Sequence, residues 1–230
     1  MRMKICIYFI TAALFCISCT EHKKNNFNIQ GKVFGLKKGT LYLEKIDLDT
    51  IQILDSISIY GKETFSFSSN IDEANLFSIS LNKSPNKKII FLSEPGTINI
   101  ETTLNQFFAK AKITGSKQQD LLAEHDRYTK EIQYENLNLI RDRFLAQKDG
   151  DLKKTNEINN KYNQNLKRSY LFSANFAINN NKNMVAPYIA MTRMENATPK
   201  LKKQIYDALT IEVKQSKYGI LLKKELDLTL

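Results

Sequence analysis

The chain has 230 residues, with 34 Lys and Arg against 24 Asp and Glu, a formal net charge of +10, 42% hydrophobic side chains, three cysteines, two histidines and no tryptophan. That length holds one large domain or two small ones and can pack a core without disulfides. The basic excess falls mainly in residues 116–230 as dispersed pairs such as Lys153-Lys154 and Lys223-Lys224 among acids, with no aromatic and arginine recognition motif, so nucleic acid is set aside as a partner.

The first residues read as an export signal. Arg2 and Lys4 are a positive start, Ile5 to Ile17 is apolar apart from Thr11, and Ser18 is a small residue immediately before Cys19. The apolar run is shorter than the roughly 20 residues that a membrane-spanning helix needs, and the polar Thr20 to Asn26 follows it. Ser18-Cys19 resembles the bacterial lipobox, with Cys16 where a leucine is usual. The expectation is a signal peptide over residues 1–18, a lipid on Cys19, and a polar tether over residues 19–26. Cys16-x-x-Cys19 could spell a redox pair, but it straddles the cut, and a thioether on Cys19 leaves no thiol for disulfide or zinc chemistry.

From Phe27 the pattern alternates with period two. Phe27, Ile29, Gly31 and Val33 share a face, Leu41 and Leu43 the next, then Ile51-Ile53, Ile57-Ile59, Phe65-Phe67 and Leu76 to Leu81. Lys87 to Leu92 reads as a more buried strand, Ile98 and Ile100 alternate again, and Phe108 to Thr114 ends the series. About eight short strands broken by turns at Gly35 to Gly39, Gly61-Lys62 and Pro95-Gly96 predict an antiparallel β-sandwich or open barrel over residues 27–115.

After Gly115-Ser116 the period becomes helical, so the fold class is α+β, with a helical region over residues 116–230. Leu121, His125, Tyr128, Ile132, Leu137, Ile140 and Phe144 mark a first long helix that breaks at Asp149-Gly150. A second runs from about Asp151 to Asn180 with Ile158, Tyr162, Leu166, Tyr170, Phe172 and Phe176, and the two predict an antiparallel hairpin. A short helix is expected over Met184 to Met194. Another starts at the cap Thr198-Pro199 and runs to about Leu209, and a last one runs from Ser216 through Leu226.

In this order the parts resemble a bacterial lipoprotein domain of unknown function, usually found in front of a thioredoxin-like domain in membrane-tethered thiol–disulfide oxidoreductases of the TlpA/ResA type. The resemblance rests on Phe27-x-Ile29-x-Gly31-x-Val33, Gly39-x-Leu41-Tyr42-Leu43, Asp55-Ser56, Phe65-x-Phe67 and Phe91 to Gly96, and on Ile113 to Ser116 and Ser216 to Gly219. It implies a β-rich unit followed by a helical segment. The chain stops at Leu230, where the thioredoxin part would begin, so the resemblance transfers no catalytic residue.

The remaining polar groups offer little chemistry. His125 between Glu124 and Asp126 has no second histidine to help bind a metal, and reads as a surface or half-buried residue. Asp47-Leu48-Asp49 lacks the glycine and terminal glutamate of a calcium loop. Asp55-Ser56 reads as side chains pairing backbone groups at a kinked strand, and Glu94 as part of a turn. Tyr128, Tyr134, Tyr162 and Tyr170 could stack on sugars, but their spacing reads as core or interface. The expectation is no catalytic residue, no cofactor and no metal. The chain reads as a lipid-anchored binding or assembly module of the bacterial envelope, on the outer membrane and facing the periplasm, whose partner is an envelope protein or a glycan. The alternative is an accessory that docks a separate thioredoxin-like oxidoreductase.

Overall fold

The computed structural model describes residues 25–47 and 50–229; the signal segment, Cys16, Cys19, His22, Leu48 and Asp49 lie outside the described residues. Asn25 and Asn26, read from sequence as the end of the tether, are tied to the first strand's neighbours. Asn26 Nδ2 donates to Ile71 O at 2.7 Å, Ile71 N donates to Asn26 Oδ1 at 2.9 Å, and Asn70 Nδ2 donates to Asn25 Oδ1 at 2.9 Å.

Eight strands follow: β1 (Phe27–Phe34), β2 (Lys38–Ile46), β3 (Ile51–Tyr60), β4 (Thr64–Ser69), β5 (Asn75–Leu81), β6 (Lys88–Ser93), β7 (Gly96–Thr103) and β8 (Lys112–Thr114). They form two four-stranded sheets, ordered β4-β1-β7-β8 and β3-β2-β5-β6, so the arrangement is a sandwich with no closed barrel. All pairs are antiparallel except β1 with β7, which run parallel. The whole second sheet lies between those two strands in the chain, which supplies the crossover that a parallel pair needs.

The period-two residues meet between the sheets. Phe27, Ile29, Val33, Phe65, Phe67, Ile98 and Ile100 from one side close on Leu41, Leu43, Phe77, Ile79, Ile89 and Phe91 from the other. The Phe77 ring lies 4.7 Å from Phe27 and 6.0 Å from Phe91 between centroids. Gly31 is needed where it stands, because a Cβ there would come within 2.7 Å of the Phe65 ring and 2.1 Å of Ile100 O.

Two strand expectations change. Ile51-Ile53 and Ile57-Ile59 belong to one strand, but its register against β2 shifts between Leu43 and Glu44. The alternation changes phase there, so Ile59 enters the core while Ile51 and Ile53 stay exposed. The strand expected from Phe108 shrinks to Lys112–Thr114, because the residues before it form turns. In them Thr102 Oγ1 donates to Phe107 O at 2.8 Å and Phe107 is buried.

Six helices follow among the described residues: α1 (Lys117–Lys148), α2 (Leu152–Asn179), α3 (Val185–Thr192), α4 (Pro199–Ala208), α5 (Ile211–Gln215) and α6 (Lys217–Thr229). The single-turn α5 was not expected. It is short enough to escape periodicity, and is signalled by Thr210, whose hydroxyl caps Val213 N. The helices pack on the outer side of the second sheet at its β5–β6 end, where Leu92 and Leu76 meet Leu122, Val185, Ile189 and Tyr218. A second helical core gathers Ala174, Ala177, Ala190, Met194, Ile205 and Leu222. No helix among the described residues is long and apolar enough to cross a membrane.

Candidate functional site

The junction of sandwich and helices starts at an edge strand. An edge leaves backbone groups unpaired, and on β6 the start of α1 takes them. Leu92 N donates to Gln119 Oε1 at 2.9 Å, and the Ser116 hydroxyl lies 2.9 Å from Leu92 O. The same hydroxyl caps α1 by accepting from Gln119 N, while Glu94 accepts from Lys117 N at 2.8 Å. Glu94, read as a turn residue, is therefore also an anionic group at the N-terminus of α1, where the helix dipole favours it. Gly115, with φ +98°, turns the chain into this joint; a Cβ there would sit 2.2 Å from Thr97 O.

The next turns of α1 hold a buried polar cluster. His125, expected near the surface, is 1% exposed. Asp126 Oδ1 can only accept, so His125 Nδ1 donates to it at 2.9 Å, and Nε2 accepts the Ser173 hydroxyl of α2 at 2.8 Å. Arg193, after α3, closes the set by donating from Nε and Nη2 to the two Asp126 oxygens at 2.9 and 2.7 Å. Burial works against the Asp126 carboxylate, but Arg193 and then His125 outweigh it and hold its pKa at about 2.

Serine, histidine and aspartate in this order have the connectivity of a nucleophile with its base. Ser173, however, is completely buried within α2, and the Phe172 and Phe176 rings flank His125. The arrangement is a clamp joining α1, α2 and the end of α3. Sequence alone could not find it, because its partners lie 48 and 67 residues from His125 and Asp126.

Past the clamp, α1 and α2 continue as the antiparallel hairpin expected from sequence. Asn165 Nδ2 donates to Asn136 Oδ1 at 3.1 Å, Lys161 pairs with Glu135 at 3.0 Å, and Arg143 Nη1 donates to Asn159 Oδ1 at 3.4 Å. Beyond Thr129, the side-chain hydrogen bonds and ion pairs that leave α1 among the described residues all go to α2. The hairpin is thus an arm; α1 alone is about 48 Å long at 1.5 Å per residue.

Beyond Thr129, the face expected to be apolar and packed is not the one that packs. Leu139 and Ala146 are buried against α2 with Thr155 and Asn165, whereas Leu137 is 62% and Phe144 68% exposed. Tyr128, Tyr134 and Ile140 are exposed as well. Leu137, Ile140 and Phe144, spaced i, i+3 and i+7, make a second apolar stripe with no partner among the described residues. Tyr162 and Tyr170 of α2 are half-buried.

The other sequence candidates fall into structural pairings. Asp47 pairs with Lys217, which also donates to Asn75 Oδ1 at 2.8 Å and fixes α6 to the sheet. Asp55 Oδ1 accepts from Ser56 N at 2.7 Å beside the register shift of β3. A further buried group, Glu44, accepts from Ser78, Ser80 and Lys88 at 2.7 to 2.9 Å. Burial pushes its pKa up, but Lys88 and the two hydroxyls prevail and lower it. No three His, Cys, Asp or Glu side chains among the described residues come together as a metal site.

Residues 27–122 match the family model of a domain of unknown function, DUF4369. The match runs from the first residue of β1 to Leu122, and so includes the turns of α1 that cover the β6 edge; the described residues contain no thioredoxin-like domain. No curated protein matches the chain.

Proposed function

We propose that this chain, which carries a DUF4369 domain over residues 27–122, is a non-enzymatic, lipid-anchored module of the bacterial envelope that engages an envelope protein through the α1–α2 arm. The observation that carries this reading is the exposed stripe Leu137, Ile140 and Phe144, on a helix face that its own hairpin partner leaves free. Folded monomers rarely leave such rows of apolar side chains in water unless something covers them.

The anchor reading rests on the residues before Cys19 and is consistent with the layout of the fold. Phe27 pairs with Gly96, and Thr97 lies against Gly115, so the start of the described chain is next to the root of the arm. A tether from Cys19 to Asn25 reaches at most about 20 Å, less than half the length of α1. The lipid would hold the molecule by the root and leave the tip of the arm standing clear, on the periplasmic side of the outer membrane.

Two measurements test the reading. Mass spectrometry of the mature protein should find a diacylglyceryl group on Cys19, and an unmodified terminus removes the anchor. Photo-crosslinking from position 137 in intact cells should give one dominant adduct that is lost in Phe144→Asp. An adduct pattern unchanged by that substitution removes the arm as the contact surface. Identification of the adduct as a thioredoxin-like oxidoreductase would turn the module into the accessory of a redox partner.

A further inference from the structure

A groove of about 570 Å³ opens between α2 and α4, away from the stripe on α1. Leu166, Tyr170 and Leu171 form one wall, and Ala197 and Leu201 the other. Tyr170, Ala197 and Leu201 also pack on the inner helical core, which gives the groove a firm floor, while Leu171 stays 47% exposed at its edge. The volume falls within the roughly 300–1,000 Å³ usual for small-molecule sites.

The charge of the lining has one sign. Lys167 on α2 and Lys200 on α4 stand on opposite walls, and no Asp or Glu is among the lining residues. Neither lysine forms an ion pair among the described residues, whereas neighbouring Lys161, Lys202 and Lys203 all do. Asn163, Asn196 and Gln204 add amide donors around the mouth. Burial, with Tyr162 and Glu195 nearby, pushes the Tyr170 phenol up and keeps it protonated, so it too can donate. An apolar floor ringed by cations and donors matches a ligand with an apolar body and an anionic head.

We propose that the α2–α4 groove is a binding site for an amphipathic carboxylate of the fatty-acid type, its chain against Tyr170, Leu166 and Leu201 and its head toward Lys167 and Lys200. The site does not depend on the arm stripe or on the anchor.

The test is titration of the folded mature chain, without its lipid, with decanoate below its micellar concentration, followed by NMR. Saturable shifts are expected at the Tyr170 ring and Leu201 methyls, with decanol and decyltrimethylammonium binding at least about tenfold more weakly, the factor given by a contact of roughly 1.4 kcal/mol. Lys167→Glu with Lys200→Glu should weaken decanoate by a similar factor, and Leu201→Trp should fill the groove and abolish binding. Absence of saturable shifts overturns the proposal, as does equal binding of all three probes or indifference to the double charge reversal. Vesicles of an anionic phospholipid producing these shifts where decanoate produces none would also overturn it, since the groove would then serve a lipid headgroup. Both charge-reversed positions are exposed, so that variant remains folded and interpretable even if Leu201→Trp does not fold.

Discussion

The β-sandwich and the α1–α2 arm are held together in opposite ways. Between the sheets, apolar rings and branched chains from seven strands are buried to the last few per cent, and polar groups are kept to the outer faces and edges. Along the arm the seam is narrow and half polar: Leu139 and Ala146 alternate with Asn136–Asn165 and Arg143–Asn159, while the larger apolar residues face outward. A seam of paired amides specifies register more than it adds stability, so the arm depends on its root. The root is the clamp at His125 and the cap at Ser116, and each fixes a helix to something that is itself firmly packed.

The contrast can be broken from the sandwich side with the largest effect. Phe77→Ala removes a ring packed between Phe27 and Phe91, and should cost about 3–5 kcal/mol in denaturant unfolding, with strand and helix signals lost together. Gly115→Ala forces a side chain into a left-handed φ and against Thr97 O, and should cost about 2 kcal/mol by the same measurement.

The root of the arm gives a smaller and more local effect. Ser173→Ala leaves His125 Nε2 buried without its partner, at a cost of about 1–3 kcal/mol. Amide exchange should speed up in α1 and α2 while the strands keep their protection. Asp126 adds a pH dependence of known sign. Its pKa is about 2 in the fold against an ordinary 3.8, so its stabilisation is fully present above about pH 4 and is lost as pH falls toward 2. Comparing wild type with Asp126→Asn over that range isolates this group from the other lowered carboxylates, and the variant should show the shallower loss of helix.

The smallest effect on stability belongs to the arm's outer face. Phe144→Asp should change the unfolding free energy by no more than about 0.5 kcal/mol, because the ring is already in water. A larger loss would mean that the stripe is packed in solution, and the contrast between the two regions would then fail.

The residues themselves determined most of the eight strands, the two long helices and most turns between them, because both periods are local and Gly, Pro, Ser and Thr mark the breaks. The resemblance seen in Phe27-x-Ile29-x-Gly31-x-Val33 and Phe91 to Gly96 agrees with the family match over residues 27–122. Three features were decided by tertiary structure alone. The parallel pairing of β1 with β7 depends on how the second sheet is inserted between them. The burial of His125 depends on a serine 48 residues away. The outward turn of Leu137, Ile140 and Phe144 depends on which of two apolar stripes α2 occupies. In each case a residue's environment is set by a segment distant in the chain, and local periodicity carries no information about which segment that will be.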